Sequence, residues 1–125
     1  MAEATAVAAV ESISKRFYGT QALDKVSLAF AAGEIHALIG ENGAGKSTLI
    51  KILSGAYRPD SGSILVDGAP RQFVGPHDAL GAGIVAIPQE LRVVSGQTVA
   101  ENVLLGDLPT KRILGVIPSL DRTQM

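Results

Sequence analysis

Apolar and small or polar positions alternate from Val7 to Ser14. Val7, Ala9, Glu11 and Ile13 fall on one side, and Ala8, Val10, Ser12 and Ser14 on the other. That period of two predicts a strand. A second run, Ala22 to Phe30, puts Val26, Leu28 and Phe30 on one face and predicts another. Lys15-Arg16-Phe17-Tyr18-Gly19 reads as a turn between them, and Ala31 to Glu34 as a turn after them. The pattern changes at Ile35-His36-Ala37-Leu38-Ile39, which is nearly continuously apolar. Such a run predicts a strand buried on both faces, as in a parallel sheet. Beyond the glycine-rich Gly40 to Thr48, residues Leu49, Ile50, Ile52 and Leu53 recur at helical spacing.

Gly55 to Gly62 is turn chemistry, rich in Gly, Pro, Asp and Ser. Ser63 to Val66 is an apolar strand that ends at Asp67-Gly68. An acid at the end of an apolar strand can orient Mg²⁺. Here the Asp-Gly pair and the early Pro70 point to a hairpin turn instead. Pro76 opens a short helix in Gly75 to Leu80, which Gly81 to Gly83 ends. Ile84-Val85-Ala86-Ile87 predicts a further buried strand, stopping at Pro88-Gln89-Glu90. An amide directly after such a strand lies at the edge where α/β proteins place their ligands. Thr98 to Leu105 predicts a helix with Thr98 as N-cap and Glu101 three residues on, a capping box. From Gly106 the signal weakens.

The chemistry concentrates in Gly40-Glu41-Asn42-Gly43-Ala44-Gly45-Lys46-Ser47-Thr48, which fits the phosphate-loop pattern G-x-x-x-x-G-K-[ST]. The expected order of strand, glycine loop and helix is the context that pattern requires. The three glycines let the backbone bend into a ring of inward N–H groups. Those donors and the positive end of the following helix hold polyphosphate. Lys46 is placed to reach the β- and γ-phosphates, Ser47 offers its hydroxyl to Mg²⁺, and Thr48 adds a phosphate contact. A glycine-rich turn without a ligand is the bland alternative. His36 is expected to be a packed or hydrogen-bonded residue rather than a metal ligand. Phe17-Tyr18 stands out in a chain with 4% aromatic residues. It reads as an anchor for a turn or as a platform for a flat base.

Composition narrows the field. The formal net charge is −1, so nothing in it argues for a nucleic-acid surface or an anionic-membrane patch, and no nucleic-acid partner is expected. With no cysteine there is no disulfide framework and no Cys-based metal site. Met1 to Ala6 carries an acid and no basic residue, so a secretory signal is not expected. No run of about eighteen apolar residues occurs, so any membrane role is expected to pass through a partner.

From about Val7 to Gly106 the chain resembles the beginning of an ABC transporter ATPase. More narrowly, it is similar to the ATP-binding subunit of bacterial monosaccharide importers of the ribose, galactose and xylose type. The likeness rests on Lys15-Arg16-Phe17, Ala22-Leu23-Asp24, Gly33 through Leu49, Gly83-Ile84, Gln89-Glu90-Leu91 and Thr98-Val99-Ala100-Glu101-Asn102. The resemblance implies an α/β fold: the P-loop NTPase core of an ABC nucleotide-binding domain with an antiparallel β subdomain. The helical subdomain and later strands are missing from these residues. Residues 1–106 would be the N-terminal part of that domain, and 107–125 the start of the helical region or a divergent tail.

The resemblance also implies roles. Phe17 falls where the family stacks an aromatic on adenine, with Tyr18 its neighbour. Gly40 to Thr48 is the Walker A loop for ATP and Mg²⁺. Gln89 is the Q-loop glutamine, which touches Mg²⁺ or the attacking water. The segment from about Glu90 to Thr98 would face a membrane permease. A second cassette and, indirectly, a periplasmic sugar-binding protein would be further partners, at the cytoplasmic face of the cell membrane. Pro88 and Arg92 depart from the subgroup, which often has His and Asn there. Ser95-Gly96-Gln97 is not the family's signature sequence, because it lacks the second glycine. The signature, the Walker B strand with its catalytic Glu, and the switch His are not found among these residues. The expectation is therefore ATP binding without turnover by this chain alone. The alternatives are a soluble ABC-type ATPase without a permease, or a short non-hydrolysing nucleotide-binding module.

Overall fold

The computed structural model describes residues 6–90, 93–104, 110–113 and 117–120, the last two stretches by their backbone alone. They fall into two compact units, Met1–Ile87 and Pro88–Met125.

The first unit is built on a four-stranded antiparallel sheet in the order β2-β1-β3-β4. Its strands are β1 (Ala6–Phe17), β2 (Thr20–Ala31), β3 (Ser61–Val66) and β4 (Ala69–Arg71). The first strand outruns its expected end. Phe17 pairs with Thr20, so the turn is only Tyr18-Gly19. Both residues have positive φ, 43° and 87°, the twist that a two-residue hairpin prefers. The Asp67-Gly68 hairpin forms as expected, with φ of 50° and 74° and Val66 paired with Ala69.

The β1–β2 pair is irregular in a reciprocal way. Ser12 and Lys25 adopt positive φ, and the register shifts around them. The Ser12 N–H donates to Ser27 Oγ at 2.8 Å, and the Lys25 N–H to Ser14 Oγ at 3.0 Å. Each bulge thus frees a backbone donor from the ladder, and a serine on the facing strand takes it up. Gly62 of β3 fits against the first bulge. A Cβ there would stand 2.5 Å from the carbonyl oxygens of Glu11 and Ser12.

Helix α1 (Lys46–Leu53) packs on this sheet. Leu49 and Ile52, three apart and so on one face, join Val10, Ile13, Leu23, Ile64, Val66, Phe73 and Ala79 in the core. Ala79 comes from α2 (Pro76–Gly81), which has Pro at its start as expected. The Asp78 carboxylate accepts the Val74 N–H at 2.7 Å and closes the turn into that helix.

Two expectations fail. Ile35–Ile39 and Ile84–Ile87 form no strand, and all but Ile84, which is half-buried against the core, are exposed. Ile39 is 89% exposed and Ile87 93%. The physical reason is pairing. A strand of a parallel sheet exists only between neighbours that take up its N–H and C=O groups. Among the described residues, every strand of the first unit belongs to the antiparallel sheet. An apolar cleft of about 260 Å³ remains between β2, the 36–38 segment and α1, lined by Leu28, Phe30, Leu38, Leu49, Ile50 and Leu53.

The second unit contains α3 (Val99–Val103) and an antiparallel hairpin of β5 (Thr110–Ile113) and β6 (Ile117–Leu120). The capping box is present in full. The Glu101 N–H donates to Thr98 Oγ1 at 3.3 Å, and the Thr98 N–H to Glu101 Oε2 at 2.8 Å. In that hairpin Thr110 pairs with Leu120 and Ile113 with Ile117. No helix of the described residues is long and apolar enough to cross a membrane.

Candidate nucleotide-binding site

The glycine loop leads directly into α1, and the backbone shows why each glycine type is needed. Gly43 and Gly45 have φ of 87° and 85°, a region that side chains resist. Gly43 is needed for its torsion alone, because the space a Cβ would take is open. Gly45 is needed twice over. A Cβ there would meet the Ala22 carbonyl oxygen at 2.4 Å and Leu23 Cδ2 at 2.7 Å. The loop is thereby seated on the start of β2. Within it the Ala44 N–H donates to the Glu41 carbonyl at 3.2 Å, and the first helical bond runs from the Leu49 N–H to Gly45 O at 2.9 Å.

Lys46 is the first residue of α1. Its Nζ donates to the carbonyl oxygens of Gly40 and Glu41, at 2.6 Å each, so the ammonium is folded over the loop it belongs to. A Cβ on Gly40 would stand 3.3 Å from Ala44 Cβ and 3.9 Å from that ammonium. The loop therefore closes on itself with little room for side chains along its inner edge. Ser47 is exposed and Thr48 half-buried. The first turn of α1 carries no acid and no side-chain cap. Its N–H groups and the positive end of the helix dipole are thus left for an outside anion.

Phe17 and Tyr18 part company. Phe17 is half-buried at the end of β1, its ring 5.3 Å from that of Tyr57 and tilted by 60°. Tyr18 projects from the turn into solvent. Three contacts through Asp60 hold this corner. Lys15 Nζ donates to Oδ1 at 2.6 Å, the Arg16 N–H to Oδ2 at 2.8 Å, and the Asp60 N–H to Ser14 O at 2.9 Å. The hydrogen bond from Lys15, then that from the Arg16 backbone, hold the Asp60 carboxyl below its ordinary pKa. Lys15 and Lys51 also lie over the rings of Phe17 and Tyr57, at 5.4 and 5.1 Å.

Sequence reasoning missed Tyr57 and Asp60. Both sit in a stretch legible only as a turn, and the partners that show their role, Phe17 for Tyr57 and Lys15 and Arg16 for Asp60, lie far earlier in the chain. His36 packs edge-on against Phe30 at 5.4 Å, its Nε2 3.2 Å from Glu34 Oε2. Among the described residues no group of three or more His, Cys, Asp or Glu could hold a metal ion. Gln89 lies in the second unit, at an exposed bend. Ser95-Gly96-Gln97 belongs to a tight turn closed by the Gln97 N–H on Val94 O, with φ of 92° at Gly96.

Comparison with known proteins places this geometry. The arabinose import ATP-binding protein AraG 1 of Burkholderia cenocepacia is 58% identical over 99 residues, 79% of this chain and 20% of its own length. The ribose import ATP-binding protein RbsA 3 of Rhizobium etli is 51% identical over 111 residues, 89% of this chain and 22% of its own. The chain thus spans about a fifth of the length of these curated relatives. A nucleotide-free ATP-binding cassette from an ABC transporter superposes with a TM-score of 0.74 at 33% identity, over 82% of this chain and 41% of that one. The ADP conformation of MJ1267, another such cassette, gives 0.62 at 34% identity, over 64% and 32%. The sequence profile of the ABC transporter family matches residues 23–125, from the strand that seats the glycine loop onward. By this match the chain belongs to the ABC transporter family.

Proposed function

We propose that the chain binds MgATP as part of an ATPase subunit that drives sugar import through a membrane permease. The observation that carries the nucleotide reading is the loop itself. Two left-handed glycines, Gly43 and Gly45, open onto a helix whose first turn holds Lys46, Ser47 and Thr48 and no acid. The donor set fits a polyphosphate. The backbone N–H groups of Gly40, Glu41, Asn42, Gly43 and Gly45 would line it, that of Ala44 would join them on leaving the Glu41 carbonyl, and Lys46 would leave its carbonyl partners for the β- and γ-oxygens. Mg²⁺ takes oxygen ligands and keeps several waters, so it needs few protein groups. The Ser47 hydroxyl would be one, and Gln89 would approach the metal or the attacking water. Phe17 would stack on the base.

Hydrolysis needs charge placed around the transferred phosphoryl group and an oriented water. Residues 1–125 contain no Asp-Glu pair. In this reading they grip the nucleotide, and the group that activates water comes from elsewhere in a complete cassette pair. The sugar-import assignment draws on the arabinose and ribose import relatives. It places the segment from about Glu90 to Thr98 against a permease at the cytoplasmic face of the membrane. A separate periplasmic sugar-binding protein would deliver the sugar.

The test replaces Lys46 by Ala. The 125-residue chain should lose at least tenfold in MgATP affinity, read by a fluorescent ATP analogue, with its thermal midpoint unchanged. The same change in a complete subunit should abolish ATP-dependent sugar uptake into proteoliposomes. Unchanged affinity or unchanged uptake would remove the site assignment, and a complete unsubstituted subunit that drives no sugar uptake would remove the importer assignment.

A further inference from the structure

The second unit carries a polar staple that the nucleotide site does not use. Asn102, on the half-buried side of α3, reaches back to the preceding loop through both ends of its amide. Its Oδ1 accepts the Val94 N–H at 2.7 Å. Its Nδ2 faces the carbonyl oxygens of Thr98, Val94 and Gln97, at 3.0, 3.3 and 3.4 Å. The amide orientation follows from the partners, since an N–H must meet the oxygen and the carbonyls must meet the nitrogen. One side chain thus ties the turn at 94–97 to the first residues of the helix, next to the Thr98–Glu101 capping box. Only an amide of this length offers an acceptor and two donors together. Aspartate would keep the Val94 bond and turn its second oxygen on three carbonyls.

The staple leaves an apolar surface outside. Val99 and Val103, four apart and so on one face of α3, are 82% and 77% exposed, and Val93 at the start of the loop is 72% exposed. A short helix of this kind is marginal alone, and a loop of Ser, Gly and Gln has little to order it. Fixing the loop to the helix before contact removes an ordering cost from association.

We propose that Asn102 is a positioning residue for coupling to the membrane partner: it pre-forms the 93–98 loop and α3 as one block that the permease meets already shaped. The role rests on the reading that this segment faces the permease.

The test has two arms. In the 125-residue chain, Asn102→Ala should speed hydrogen exchange of the Val94 amide at least tenfold. Exchange at Leu49, in the glycine-loop helix, should stay unchanged, and MgATP affinity should stay within twofold. The second arm uses a ribose import ATP-binding protein in which residues 6–104 of this chain replace the matching segment, reconstituted with that importer's permease. There Asn102→Ala should cut ATP-driven ribose uptake at least tenfold while permease-free ATP hydrolysis stays within twofold. Asn102→Asp should restore most of the Val94 protection and little of the uptake. Unchanged Val94 exchange would overturn the staple. Equal falls in uptake and in permease-free hydrolysis would overturn the coupling role in favour of general stability. A parent chimera that does not assemble with the permease would overturn the importer reading and the coupling role with it, while the exchange arm still judges the staple.

Discussion

Gly45 lies so close to Ala22 that a methyl group on its α-carbon would stand 2.4 Å from the Ala22 carbonyl oxygen. The glycine loop is therefore seated by a backbone-to-backbone approach, and the two positive-φ glycines can be told apart by mutation. Gly43→Ala meets open space and carries only the torsional penalty, about 1–2 kcal/mol. Gly45→Ala adds a clash with backbone that cannot rotate away, and should destabilise by roughly 2–4 kcal/mol in all. Urea midpoints should rank wild type, Gly43→Ala, Gly45→Ala in falling order. Equal midpoints for the two variants would mean that the loop is not seated on β2.

Gly62 makes the corresponding claim for the sheet. Its α-carbon faces the Ser12 bulge so closely that a side chain would displace the Glu11 and Ser12 carbonyls. Gly62→Ala should unpair the start of β3 from β1 and cost about 2–4 kcal/mol. Amide exchange at Ser63 and Ile64 is the sensitive readout. Protection that survives the substitution would show the bulge to be yielding.

Asp60 should make the Phe17 corner pH-dependent. Its carboxyl is held below its ordinary pKa in the fold by Lys15 and by the Arg16 N–H. Its contribution is therefore fully present above the unfolded value of about 3.9. It is lost as pH falls through the lower folded value. Asp60→Asn should lower the thermal midpoint slightly at pH 7. The two proteins should converge only once pH has fallen through the lowered folded value, because both then lack the charge. The Lys15–Asp60 pair is partly solvent-exposed, so the shift should shrink in high salt.

The exposed apolar segments should drive self-association. Ile39 and Ile87 are nearly fully exposed within runs that read as buried strands. Such edges pair with one another when nothing covers them. Sedimentation at micromolar concentration should show concentration-dependent oligomers. Ile39→Lys with Ile87→Lys should shift the population toward monomer without lowering the thermal midpoint, since neither side chain is in the core. A wild-type chain that stays monomeric at high concentration would refute the pairing.

What could be read in advance was whatever depends on near neighbours. The torsions of Gly43 and Gly45, the Asp67-Gly68 turn, Pro76 at its helix start and the Thr98–Glu101 box each follow from a few adjacent residues. The same is true of α1, whose buried Leu49 and Ile52 are its periodic apolar positions. What could not be read depends on distant partners. Ile35–Ile39 and Ile84–Ile87 have the composition of buried strands, yet composition cannot supply the neighbouring strand that makes one. The bulges at Ser12 and Lys25 are set by serines on the facing strand. Asp60 looks like any turn aspartate until Lys15 and Arg16 are brought to it. Asn102, one letter after the capping box, shows its role only when the loop folds back.

The unpaired Ile35–Ile39 segment also has a thermodynamic consequence. It is the upstream arm of the glycine loop, while the downstream arm is fastened by Gly45 on Ala22 and by Leu49 and Ile52 in the core. Closing the loop on a phosphate would restrain that arm further, and restraining backbone costs up to about 1–2 kcal/mol per residue. A strand supplied alongside it would have met that cost beforehand. Nucleotide affinity and strand pairing are then linked, and linkage is reciprocal. Whatever pairs with Ile35–Ile39 should tighten ATP binding, and ATP should tighten that pairing by the same factor.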